Sequence, residues 1–298
     1  GTHRRRRWAR NPEPAAGTAW RDALAPECRA IAGKLTVRNA PQAALRRTAV
    51  PRGAPPRRRG RAAALLRQSG AMQMPIEWLP AEGDPQQLVL LLHGWASDAG
   101  AMLPLAQALR STFPQAAIVA PDAPLAADGG RAGRQWYSLD GISPQNWPGR
   151  VAGALPPLHD WVRAQQRRLG VAPAPTAIGG FSQGAILALA LALREDGLAG
   201  RVLAFGGCFT APPEAAPRLT TLHLFHGSAD RVIPADGSRQ ALAWLGELRG
   251  DATLDIAEGV GHELHPALID CALHRLTHHI PLRTWQEALG AAPRPSAS

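Results

Sequence analysis

From Met74 onward, short apolar runs alternate with stretches in which apolar residues recur every three or four positions. That alternation predicts a mostly parallel sheet with helices on both faces, an α/β class of fold. Strands are expected at Gln87–Leu92, Ala117–Ala120, Thr176–Gly179, Arg201–Phe205, Thr221–Phe225 and Thr253–Ala257. Helices are expected at Gly100–Ser111, Arg150–Leu169, Gln183–Glu195, Ser238–Leu248 and His265–His279. Most of the strand runs are continuously apolar rather than alternating, as strands buried on both faces require. No internal repeat interrupts the pattern.

Residues 1–71 lack this order. They carry 17 basic residues, 16 of them arginine, against 3 acidic ones, whereas residues 72–298 carry 16 basic and 20 acidic. The net charge of +10 and the pI near 11.2 therefore originate in the first quarter of the chain. With no sustained helical or strand period, residues 1–71 cannot bury enough surface to fold alone and are expected to be a disordered basic extension. Three origins fit it: sequence upstream of a true start at Met72 or Met74, an Arg- and Ala-rich transit segment, or a basic arm for nucleic acid or anionic lipid. The first is favoured, because the arm lacks a folded nucleic-acid-binding motif. Residues 72–298 are ample for one buried core, in the size range of open α/β domains.

Cys28, Cys208 and Cys271 are odd in number and unpatterned, which speaks for free thiols in a reducing, cytoplasmic setting. No stretch reaches the roughly 18 apolar residues of a membrane span; the longest run, Ala185–Leu193, reads as a buried helix.

The chemistry concentrates at Gly180-Phe181-Ser182-Gln183-Gly184, a Gly-x-Ser-x-Gly pattern between an expected strand and an apolar helix. In this nucleophile elbow a strained turn lifts the serine above the sheet edge, and small flanking residues avoid clashes. The helix that follows directs free N–H groups and a positive dipole end toward Ser182, favouring a developing oxyanion. The fold expected is thus an α/β-hydrolase, with Gln183 N–H as one oxyanion donor. The second is expected from the loop after an early strand, where Leu88–Leu92 runs into His93-Gly94-Trp95, and Trp95 N–H is assigned. His93 itself reads as a structural histidine.

A serine hydroxyl needs a base to take its proton and a carboxylate to orient that base. In the order Ser, acid, His, the residues just past strand ends are Asp230 in His226-Gly-Ser-Ala-Asp230 and His262 in Glu258-Gly-Val-Gly-His262. Asp236, expected to cap a helix, and Asp255, inside a strand, are the competing acids. His226 and His265 are the nearby alternatives to His262. A metal site is not expected. His262-Glu-Leu-His265 lacks the spacing of the zinc helix, and Cys271, His274 and His278, though on one helix face, sit among apolar neighbours.

Taken in order, Leu92-His-Gly-Trp95, Pro121-Asp-Ala-Pro124, Gly133-Arg-Gln-Trp-Tyr137, Gly179-Gly-Phe-Ser-Gln-Gly-Ala185, His226-Gly-Ser-Ala-Asp230 and Gly261-His262 resemble the bacterial phospholipase/carboxylesterase family, related to acyl-protein thioesterases. The resemblance spans about residues 75–289. It implies an α/β-hydrolase without a large lid domain, acting without a cofactor on small-molecule esters or thioesters. A serine carboxylesterase working through an acyl-enzyme on Ser182 is the leading expectation. A lysophospholipase or acyl-protein thioesterase is the alternative, and a nucleic-acid-binding protein acting through the Arg-rich arm is the rival from another class. The resemblance also makes Trp136 a substrate-contact candidate. It departs at Trp95, where the family usually carries a smaller aliphatic residue, and in the basic extension.

Overall fold

The structure, a computed structural model, describes residues 76–291; the basic extension and its alternative origins lie outside these residues. Nine strands are found among them: β1 (Ile76–Trp78), β2 (Gln87–Leu92), β3 (Ala116–Ala120), β4 (Leu125–Ala126), β5 (Arg134–Gln135), β6 (Thr176–Phe181), β7 (Arg201–Phe205), β8 (Thr221–Gly227) and β9 (Ala252–Ala257). Seven form one sheet in the order β1-β3-β2-β6-β7-β8-β9. It is parallel throughout, except that β1 runs antiparallel to β3. The two-residue strands β4 and β5 make a separate antiparallel hairpin.

The helices are α1 (Leu103–Thr112), α2 (Trp147–Leu169), α3 (Gln183–Arg194), α4 (Asp236–Glu247), α5 (Pro266–His278) and α6 (Leu282–Ala291). Side chains alternate across a strand, so β2 feeds two cores at once. Leu88, Leu90 and Leu92 join Val151, Leu155 and Leu158 of α2, Leu187 and Leu191 of α3, and Leu245 of α4 on one face. Val89 and Leu91 join Leu105 and Leu109 of α1 and Leu268 and Ile269 of α5 on the other. Burial on both faces explains the continuous apolar runs of β2 and β3.

All six expected strands and all five expected helices are present, with ends shifted by a few residues. Helix α2 starts three residues early, at Trp147, and continues through Pro156 and Pro157. Strands β1, β4 and β5 and helix α6 were not expected. Each is short or terminal and exists through partners distant in sequence. Helix α6, for example, is tied to the edge of the sheet by Leu282 N–H donating to Asp251 at 3.1 Å. Among the described residues, no helix is long and apolar enough to cross a membrane.

Candidate active site

Strand β6 ends at Phe181 and α3 begins at Gln183, leaving Ser182 alone to reverse the chain. Its backbone sits at φ 54° and ψ −116°, a region costly for any residue with a Cβ, on the order of 1–3 kcal/mol. The surroundings hold it there: Ser182 N–H donates to Phe205 O at 2.9 Å and Ile186 N–H to Ser182 O at 3.1 Å. Glycine is required on both sides. A Cβ on Gly180 would collide with the backbone of Gly184, and one on Gly184 would lie 2.6 Å from the carbonyl carbon of Leu92.

At the same edge of the sheet, β8 leads into Asp230 and β9 into His262. Ser182 Oγ lies 2.9 Å from His262 Nε2, and His262 Nδ1 lies 2.6 Å from Asp230 Oδ2. Asp230 Oδ1 accepts N–H bonds from Val232 at 2.8 Å and Ile233 at 2.9 Å. Burial alone would raise the Asp230 carboxyl, but the bonds to His226 and His262, the charge of His262 and the Val232 N–H outweigh it. The carboxyl is held well below the usual carboxylate range, so it is ionised at neutral pH. The His262 ring rests on Phe181, centroid to centroid 4.8 Å, and against Gly206, where a Cβ would come within 3.3 Å of the imidazole.

His93 is fully buried at the end of β2. Its Nε2 accepts Ala123 N–H at 3.0 Å, which leaves Nδ1 as the protonated nitrogen, and Nδ1 donates to Gly94 O at 2.7 Å. Desolvation depresses its pKa, consistent with this neutral tautomer. Gly94 O and Trp95 N–H belong to one planar trans peptide and point in opposite directions. Holding the carbonyl on the histidine side therefore turns the Trp95 N–H the other way. Gly94 approaches the nucleophile closely, a Cβ there meeting Ser182 Cβ at 3.4 Å. Trp95 and Gln183 both line the cavity beside Ser182.

That cavity encloses about 500 Å³ and is mostly apolar, with walls from Trp95, Tyr137, Ile142, Trp147, Ile186 and Val232. Trp136 does not line it. Backbone N–H of Trp136 donates to Gln183 Oε1 at 2.8 Å, its indole N–H donates to His93 O at 2.8 Å, and only 4% of the residue is exposed. Its neighbour Tyr137 faces the cavity instead, with the phenol accepting from Trp147 Nε1 at 3.1 Å. Gln183 Nε2 donates to Tyr137 O at 2.8 Å, so one buried amide clamps both residues to the start of α3.

A second clamp holds the mouth. Trp95 Nε1 donates to Gln135 Oε1 at 2.7 Å, and Gln135 Nε2 donates to Asp128 Oδ1 at 2.7 Å. Asp128 Oδ2 also accepts from Ser138 Oγ and the N–H of Leu139. Neither Gln135 nor Asp128 was singled out from the sequence, because nothing local marks a glutamine that ties a loop to a tryptophan 40 positions away.

The competing residues lie elsewhere. Asp236 pairs with Arg239 at 2.8 Å on the surface, and α4 is preceded by Ala235 without a side-chain cap, so the capping expected of Asp236 is not found. Asp255 makes two bonds to Arg275 at 2.8 and 2.9 Å, and His265 caps α5 by accepting Ala267 N–H. The rings of His274 and His278 stack at 4.3 Å, and no group of three or more His, Cys, Asp or Glu among the described residues could hold a metal ion.

Residues 78–280 match the Phospholipase/Carboxylesterase family. Esterase YpfH of Escherichia coli (strain K12) is 40% identical over 204 residues, covering 68% of this chain and 88% of that protein. Among solved structures, esterase PE8 superposes with a TM-score of 0.64 at 32% identity, over 70% of this chain and 99% of that one. The Bacillus cereus carboxylesterase, at 15% identity, shares the fold with a TM-score of 0.59, over 71% and 96%. The chain belongs to the Phospholipase/Carboxylesterase family and is an α/β-hydrolase of the esterase type.

Proposed function

We propose that the protein is a serine carboxylesterase that hydrolyses carboxylic esters of small, largely apolar acids through an acyl-enzyme on Ser182. The observation that carries this reading is the continuous relay from Ser182 Oγ to His262 at 2.9 Å and on to Asp230 at 2.6 Å, at the floor of an apolar cavity. His262 Nε2 takes the Ser182 proton as Oγ attacks the carbonyl carbon, and ionised Asp230 stabilises the imidazolium that forms. The N–H groups of Trp95 and Gln183 receive the oxyanion, each worth about 10² to 10³ in turnover. His262 then protonates the leaving alcohol, and water activated by the same imidazole releases the acid. Trp136 acts from behind the cavity wall, holding the His93 carbonyl and the Gln183 amide. No step needs a cofactor.

Covalent labelling with a fluorophosphonate, followed by mapping of the modified residue, tests the assignment. Ser182 should be modified in the native chain, and Ser182→Ala should abolish both labelling and hydrolysis of p-nitrophenyl acetate while keeping its unfolding midpoint. Labelling at another residue, or comparable hydrolysis by the variant, would refute it. Parallel rates on short-chain esters, lysolipids and acyl thioesters separate a carboxylesterase from a lysophospholipase or thioesterase.

A further inference from the structure

His226 is fully buried at the end of β8, four residues before Asp230, and has no part in the relay described above. Its Nε2 lies 2.8 Å from Ile233 O and 3.2 Å from Asp230 Oδ2. Both neighbours can only accept, since one is a carbonyl and the other an ionised carboxylate, so Nε2 must carry a proton. On the other side of the ring, Nδ1 meets Ser238 Oγ at 2.7 Å, and that hydroxyl reaches Gly207 O at 3.1 Å. The ring is thereby locked between β8, the Asp230–Ile233 turn, α4 and the loop after β7.

The carboxylate consequently faces three N–H donors and the edge of a fourth. Oδ1 takes the backbone groups of Val232 and Ile233, Oδ2 takes His262, and the His226 Nε2–H, bonded to Ile233 O, lies 3.2 Å from the same Oδ2. We propose that His226 is a positioning residue for ester hydrolysis, whose Nε2–H divides the charge of Asp230 Oδ2 with His262 and thereby limits how basic the His262 imidazole becomes. The proposal rests on the reading of Asp230 and His262 given above.

Other ionisable groups lie near the pair. Cys208 packs beside α4 as a buried thiol, and Asp236 and Arg239 pair with each other on the surface. Arg231, Glu258 and Glu263 are exposed. With that edge removed, Asp230 would interact more strongly with protonated His262, and the acid limb of the rate profile would move upward. The direction is the same whether His226 carries one proton or two, because in both states the group lost is a positive N–H edge 3.2 Å from the same oxygen.

The test is the pH profile of kcat/KM for p-nitrophenyl acetate, whose acid limb reports the free enzyme's base. His226→Leu should move that limb upward by about half a unit to one unit. His226→Gln, whose amide can again donate to Asp230, should return it to the wild-type position. A limb that does not move in His226→Leu, even with lower turnover and stability, would mean that His226 only packs the turn and would overturn the proposal. A limb displaced equally by both variants would overturn it too.

Should His226→Leu fail to fold, side-chain ¹⁵N–¹H spectra of the unaltered protein decide. A His226 Nε2 proton, assigned by the signal lost in His226→Gln, that shifts along the acid limb of the rate profile supports the proposal, and a bare Nε2 or a signal that stays fixed ends it. Fluorophosphonate labelling of Ser182 separates the two levels of failure. A labelled serine with an unmoved limb defeats only the role of His226, and an unlabelled serine defeats the underlying hydrolase reading.

Discussion

Replacing His93 tests whether one buried imidazole aims an oxyanion donor. The ring spans two backbone groups, donating to Gly94 O at 2.7 Å and accepting from Ala123 N–H at 3.0 Å, with no exposed surface. His93→Leu keeps the apolar bulk beside Trp136 but strands both groups. Each buried unsatisfied group costs about 1–3 kcal/mol, so a loss of about 2–6 kcal/mol is expected, tolerable for a domain of ordinary stability. The catalytic effect is separable from that loss. Freed from the ring, the peptide linking Gly94 and Trp95 can rotate, and on the proposed mechanism the Trp95 N–H then no longer faces the carbonyl oxygen of the substrate. Loss of one such donor lowers kcat and kcat/KM together by about 10² to 10³, because the bond matters most in the transition state. His93→Asn, whose amide can still donate from near the Nδ1 position, should retain much more turnover at a similar cost in stability. Initial rates on p-nitrophenyl acetate should be compared with urea midpoints for both variants at neutral pH. A folded His93→Leu protein with turnover within about threefold of the wild type would refute the peptide-plane argument.

Gly184→Ala would force a Cβ to 2.6 Å from the Leu92 carbonyl carbon and 2.8 Å from His93 O, pushing α3 away from β2. It should cost about 1–3 kcal/mol and at least a hundredfold in turnover, whereas Gly153→Ala, on the open face of α2, should gain about 0.5–1 kcal/mol without changing activity. Stability should also fall with acid before the carboxylates titrate, because burial, helped by His279 and Arg201, pushes His223 down to about 3. Below its ordinary pKa near 6.5 the unfolded chain takes up a proton that the folded chain refuses, so unfolding gains about 2–3 kcal/mol from this group by about pH 4.5. Urea midpoints at neutral pH and at about pH 4.5 should therefore fall less in His223→Leu, and equal decreases would count against a neutral buried His223.

How much of this could be read from the sequence depended on whether a feature was imposed locally or by partners far along the chain. The turn at Ser182 is imposed locally: a residue with a Cβ at φ 54°, backed by β2, demands glycines at 180 and 184, and the sequence carries that demand openly. The positions of Asp230 and His262 followed from strand order, since parallel strands buried on both faces deliver their following loops to one edge. Side-chain direction was a different matter. Trp136 and Tyr137 lie in a bend just past β5, where no strand period fixes side-chain direction, and the bonds of Gln183 to both backbones hold them with Tyr137 at the cavity. The strands β4 and β5 were hidden for the same reason, because two-residue strands have no period and acquire meaning only once Leu125 pairs with Gln135.

His226 lies between these cases. The motif His226-Gly-Ser-Ala-Asp230 places both ends of a contact in view, yet four residues of spacing in a turn do not indicate whether they touch. Contact is made possible by Gly227, where any side chain would strike the Val260 and Gly261 carbonyls, so that the two loops close on each other with the carboxylate between two imidazoles. A buried carboxylate with one charged partner would be a poor structural anchor, because desolvation consumes most of the Coulomb gain. With three N–H bonds and the His226 edge around it, Asp230 escapes that limit. The same bonds that keep Asp230 ionised also keep the 230–233 turn where it walls the cavity, and substitutions there should therefore change the charge of Asp230 and the shape of the cavity together.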